Sequence, residues 1–186
     1  MYKLIILLVL VVLVVVYIYT QKPNDEGFHI HADFKVYLNG EEYNFSQEKY
    51  MSESSLTPSP FVHLHDINGE VIHVHAEGVT VGDFFDSLKI KFNESCFVLG
   101  EGTEYCRNND KRLEMYINGN LNNQFQNYVI QDLDRILITY GNPTSEGIQN
   151  QLGKVTDNAC IESRKCPERG TPSEGSCSSG TVCIVD

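Results

Sequence analysis

Three absences narrow what this chain does. Its six cysteines contain no Cys-x-x-Cys, which removes the usual redox-active dithiol. It has no basic surplus: 14 Lys and Arg stand against 25 Asp and Glu, and a formal charge of −11 argues against nucleic acid as a partner. Such a balance gives a solubilising acidic surface and is compatible with attracting cations. The third absence is of isolated histidine. All six histidines fall in three His-x-His pairs, His29/His31, His63/His65 and His73/His75.

Residues two apart on a β-strand share a face, so each pair sets two imidazoles side by side. Imidazole is the commonest metal-ligating side chain and suits copper, zinc, nickel and iron. A lone histidine is more often a satisfied polar residue, but six scattered at random would seldom pair this way. From Phe28 to Leu38 the even positions are Phe28, Ile30, Ala32, Phe34, Val36 and Leu38, and the odd ones are His29, His31, Asp33, Lys35 and Tyr37. This is a period-2 strand with both histidines on its polar face. Val62 and Leu64 interleave with His63 and His65, as Ile72, Val74 and Ala76 do with His73 and His75. Asp66-Ile67-Asn68-Gly69 is a turn signal joining the last two pairs. A three-residue loop, with Gly69 left-handed in a G1 bulge, sets His63 opposite His73 and keeps the histidines on one face.

Leu4 to Tyr19 is an unbroken apolar run between Lys3 and Lys22. With its flanking Tyr and Thr it reaches about 17–20 residues, enough for a membrane span. No A-x-A-like site follows, and no cysteine to accept lipid, so residues 1–22 read as an uncleaved transmembrane anchor rather than a removed signal peptide. The remainder is then expected outside the cytoplasm, where disulfides are the default. Spacing pairs Cys96 with Cys106 and groups Cys160, Cys166, Cys177 and Cys183 in a second cluster of undetermined connectivity.

Residues 23–27 read as a linker, 28–141 as one His-rich domain and 142–186 as a Cys-rich tail with almost no periodicity. Within the domain, strand 28–38 turns at Asn39-Gly40 into 41–45, and a long loop covers 46–60. The His hairpin spans 61–76. Thr80 with Asp83 three residues on is close to a capping box, and Val81, Phe84, Phe85 and Leu88 supply the apolar stripe of a helix ending near Lys89. Strands 112–118, 120–125 and 135–140 follow. The order is that of an α+β fold. It resembles a β-grasp (ubiquitin-like) roll, with the first hairpin as an N-terminal extra.

The residues His29, His31, His63, His65, Asp66, Gly69, His73, Thr80, Gly82, Phe84 and Phe85 together resemble the pattern of a family of membrane-anchored extracytoplasmic prokaryotic proteins. The resemblance spans roughly 28–141. Members are often labelled protein-disulfide isomerase, and some carry a thioredoxin-like domain. This sequence lacks that domain, and the resemblance implies a fold rather than a chemistry.

Four functions compete. A metal-binding module would hold Cu(II) or Zn(II) on histidine, since neither Met nor Cys belongs to the set. The expected ligands are His29, His31, His63 and His73, with His65 and His75 beside them, and Asp33 and Asp66 orienting the rings. A metalloenzyme would add Glu70, Glu77 or Asp66 as general base to a three-histidine zinc. Thiol–disulfide exchange needs a reactive cysteine pair, whereas these spacings look structural. A structural or pH-sensing surface ectodomain is the fourth. Partners on this reading are the metal ion and the membrane, and the location admits an extracytoplasmic protein as well. Asn44-Phe45-Ser46 and Asn93-Glu94-Ser95 fit N-glycosylation acceptors, a pattern common by chance.

Overall fold

The computed structural model describes residues 28–52 and 59–172. The apolar run read as an anchor and the cysteines Cys177 and Cys183 lie outside them. Among the described residues no helix is long and apolar enough to cross a membrane.

The architecture is mixed α+β and dominated by sheet. Strand β1 (Ile30–Leu38) turns through Asn39 and Gly40, both left-handed, into the two-residue β2 (Glu41–Glu42). Strands β3 (Val62–His63) and β4 (Val71–Val74) form the His hairpin. Helix α1 (Val81–Ser87) follows, then a separate three-stranded antiparallel sheet of β5 (Lys91–Phe92), β6 (Cys96–Val98) and β7 (Glu104–Cys106). Strands β8 (Arg112–Ile117), β9 (Asn120–Leu121) and β10 (Arg135–Gly141) return to the main sheet. Its order is β3-β4-β1-β10-β8-β9, with β2 also on β1. Among the named strands of the described residues only β1 and β10 pair in parallel, with Asp33 level with Arg135.

The first strand is therefore no N-terminal extra: it lies at the sheet's centre, between β4 and β10. Its even residues Ala32, Phe34, Val36 and Leu38 enter the main core with Phe45, Phe84, Phe85, Met115, Ile136 and Ile138. Helix α1 starts where the capping box puts it. Thr80 Oγ1 accepts from the Asp83 N–H, and the Asp83 carboxylate accepts from the Thr80 N–H, satisfying two of the helix's unpaired donors. Val81, Phe84 and Phe85 face the core, each burial contributing about 1.5–3 kcal/mol.

The odd face of β1 departs from the alternation its polarity suggests. His31, Asp33, Lys35 and Tyr37 are all buried, so β1 is covered on both sides. The cover comes from the segment read as a Cys-rich tail with almost no periodicity. It forms α2 (Ser145–Lys154) and α3 (Ala159–Glu162) and packs Val155 and Leu152 against Tyr37, Leu137 and Tyr116.

Asp33 anchors this cover. Its carboxylate accepts from the Thr156 hydroxyl at 2.5 Å and from the N–H groups of Asn158 at 2.8 Å and Ala159 at 2.9 Å. Level with it, Arg135 donates to the carbonyls of Thr156 and Val155. Asp33 thus caps α3 from another strand and is taken up wholly by the C-terminal segment. The expectation that it orients a histidine is corrected: a partner with two free N–H groups at a helix start outcompetes a ring on its own strand.

Replacing Asp33→Ala strands three polar hydrogens under the cover, at about 1–3 kcal/mol for each left buried and unpaired. Trypsin is then expected to cut at Lys154, Arg164 or Lys165 far faster than in the wild type, as followed by mass spectrometry. Equal cleavage rates would show that Asp33 does not hold the segment.

Candidate metal centre

The β1–β4–β3 ladder puts the histidines in register. His31 lies opposite His73, and His73 opposite His63, as the odd-loop parity requires. The loop reaches that register differently from expectation. Asp66 and Ile67 hold the left-handed conformations, at φ 57° and 55°, while Gly69 does not. Gly69 serves close approach instead: a Cβ there would sit 2.3 Å from the Ser46 nitrogen and 2.4 Å from the Phe45 carbonyl carbon. The chain leaves the ladder after His63, which frees the His65 ring to turn back over His73.

The six rings form a closed circuit. Successive centroids are 4.4 Å apart for His29–His31, 4.6 Å for His31–His73 and 3.8 Å for His73–His65. The circuit continues at 5.9 Å for His65–His63, 4.9 Å for His63–His75 and 4.3 Å for His75–His29. Within it, His29, His31 and His73 each offer a ring nitrogen, and these atoms all lie within 4.8 Å of one another. This triad is able to hold a metal ion. His63 belongs to the circuit beside His75 but lies outside the triad. Among the described residues, Nε2 of His29, His31, His63 and His75 is buried without a hydrogen-bond partner.

Two hydrogen-bonded chains run to rings of the triad, and the first decides where the His31 proton sits. Asp132 Oδ1 accepts the Ser163 hydroxyl at 2.6 Å. The hydroxyl has one proton, so its oxygen accepts from His31 Nδ1–H at 2.8 Å, leaving Nε2 of that ring a bare lone pair. In the second chain, His65 Nδ1–H donates to the Asp66 carboxylate at 2.7 Å. His65 Nε2 lies 3.1 Å from His73 Nδ1, so this chain ends on a ring of the triad. Carboxylates that fix a ligating histidine's tautomer in this way are standard support around metal sites.

Burial and crowding disfavour the charged form of His29, His31, His63, His73 and His75. Desolvation, followed by the neighbouring imidazoles, pulls His31 and His63 down to about 3 and His75 to about 4, and carries His73 well below the ordinary 6.5. His29 is lowered for the same reasons. For Asp132 burial acts upward, but Lys165, Ser163 and the His31 N–H outweigh it and hold the carboxyl below its usual range. Proton competition for the ligands thus moves below the pH of about 6 that an ordinary imidazole implies.

The remaining candidates are elsewhere or engaged. Glu70 is bound at 2.6 Å by Lys35, which also holds Glu42. Glu77 lines a groove with Phe61, Val79 and Asp83. Cys96 is bonded to Cys106 across β6 and β7, and Cys160 to Cys166, leaving no free cysteine among the described residues. Sequence reading missed Asp132 and Ser163, which are distant in the chain and carry no motif. Comparison with known proteins finds no match: no family model, curated protein or solved structure is similar to this chain.

Unfolded histidines take up protons from about pH 6.5 downward, while the folded ones at about 3 to 4 do not. In that window the unfolded state binds more protons, so stability falls as pH falls and is undiminished above it. Thermal melts of the metal-free protein should show this decline below about pH 6.5, and His63→Gln should flatten it. A variant with an unchanged slope would mean that the rings are not held neutral.

Proposed function

We propose that this protein is a membrane-anchored, extracytoplasmic metal-binding protein whose histidine circuit takes Cu(II) or Zn(II). The observation that carries the reading is the His29, His31 and His73 triad, with its nitrogens within 4.8 Å of one another. The bare lone pair at Nε2 of His31 supports it, because only unprotonated imidazole coordinates. An all-nitrogen donor set favours Cu(II) or Zn(II) over Cu(I). The ion would contribute charge and Lewis acidity, while the chain's own residues hold the rings, exclude water and fix the ring protons.

The location rests on the apolar run Leu4–Tyr19 and is supported by the two disulfides, which belong to an oxidising compartment. On this reading the linker 23–27 spans at most about 17 Å, so the centre at the start of β1 works close to the membrane surface. We also read the domain as β-grasp-like. A parallel first and last strand at the sheet centre, flanked by β4 and β8 with α1 on the core face, supports that assignment.

The test is elemental analysis of the full chain in detergent, purified with neither a His-tag nor a metal column. Copper or zinc at one or more equivalents is expected, and His29→Ala/His31→Gln should abolish it while circular dichroism stays unchanged. A wild-type chain that takes up neither metal at micromolar concentration would end this reading.

A further inference from the structure

We propose that the Cys160–Cys166 loop is part of the metal centre, with Ser163 as the positioning residue that sets the tautomer of His31. This rests on the metal-binding reading of the histidines. The disulfide closes a loop whose midpoint is Ser163, three residues from each cysteine. Within it Arg164 is left-handed at φ 54°, and the Lys165 N–H returns to the Cys160 carbonyl at 2.8 Å, a closed end to α3. That turn presents two side chains to one carboxylate. The Ser163 hydroxyl takes one oxygen of Asp132 and the Lys165 ammonium takes the other. Asp132 also accepts the backbone N–H of His31 at 3.1 Å, so it ties the loop to the strand that bears the ligand.

The consequence for His31 is specific. A neutral imidazole carries its proton on either nitrogen, and only one tautomer turns a lone pair toward His29 and His73. A hydroxyl already committed to Asp132 accepts and does not donate, so it holds the proton on Nδ1. The negative charge passed through the hydroxyl also raises the basicity of Nε2. Without the disulfide, Ser163 sits on a short helix end kept in place chiefly by polar contacts, since Ser163 and its neighbour Ile161 are only partly buried. Cys96–Cys106 bridges the separate three-stranded sheet and touches none of this.

The experiment titrates Cu(II) into the full chain in detergent against nitrilotriacetate, with the copper electron paramagnetic resonance spectrum recorded on each variant. Ser163→Ala is expected to weaken copper binding about 10–100-fold and to alter the spectrum, with the metal-free protein still folded by circular dichroism. Ser163→Thr, which keeps the hydroxyl, should restore both. Cys160→Ala/Cys166→Ala should weaken binding in the same direction, while Cys96→Ala/Cys106→Ala leaves it at the wild-type level. Wild-type affinity and spectrum in Ser163→Ala would overturn the proposal while leaving the metal centre standing. A wild-type chain that binds no copper would instead remove the reading beneath it, and the proposal with it.

Discussion

One buried carboxylate makes the rest possible. Asp33 points away from the apolar core, and nothing on its own strand satisfies it. It is satisfied by Thr156, Asn158 and Ala159, more than a hundred residues later in the chain. Arg135, level with it on β10, grips the same stretch by its carbonyls. Together they fasten a C-terminal cover to the face of the sheet that carries the histidines. An open face would leave six ordinary, hydrated imidazoles titrating near neutrality. In the folded protein burial lowers the pKa of His29, His31, His63, His73 and His75, and the cover itself reaches His31 through Ser163.

That condition is costly to the fold. Buried imidazole nitrogens without hydrogen bonds each lower stability by about 1–3 kcal/mol, and four are found here. Rings packed 4–5 Å apart also forbid the easy remedy of taking up protons, because each charge would repel the next. A core built for stability alone would place apolar side chains there. Sites that hold polar groups ready at the expense of stability are a common mark of function. Asp66 and Asp132 reinforce the arrangement from opposite ends, each reaching the triad through one intermediary side chain.

Much of this was legible in the sequence, wherever a local rule governed. Alternation marked β1 and the His hairpin, and parity gave the pairing of His63 with His73. The capping box placed the start of α1 at Thr80. What escaped depends on contacts distant in the chain. Asp33 shares a strand face with His31 and reads as its partner until the far segment claims it. Gly69 reads as a turn glycine, whereas its lack of a side chain answers to the backbone at Phe45 and Ser46. The helix α2 left a signal that went unused: Ile148, Gln151, Leu152 and Val155 recur at helical spacing behind the cap at Thr144. Asp132 and Ser163 left none. A hydroxyl relay between a turn and a disulfide loop has no pattern along the chain.

The parallel pairing of β1 with β10 also fixes the order in which the molecule is made. Parallel strands joined over a hundred residues close one of the largest loops the chain contains, and such closures come late and slowly in folding. During synthesis β1 emerges first and waits for β10, and then for the segment beyond it. Until those arrive, His29 and His31 sit on an unpaired edge, hydrated and able to take up any ion or proton at hand. The finished cover ends that period. A chain cut short before residue 156 would carry all six histidines but neither the Ser163 hydroxyl that bonds His31 nor the segment that satisfies Asp33.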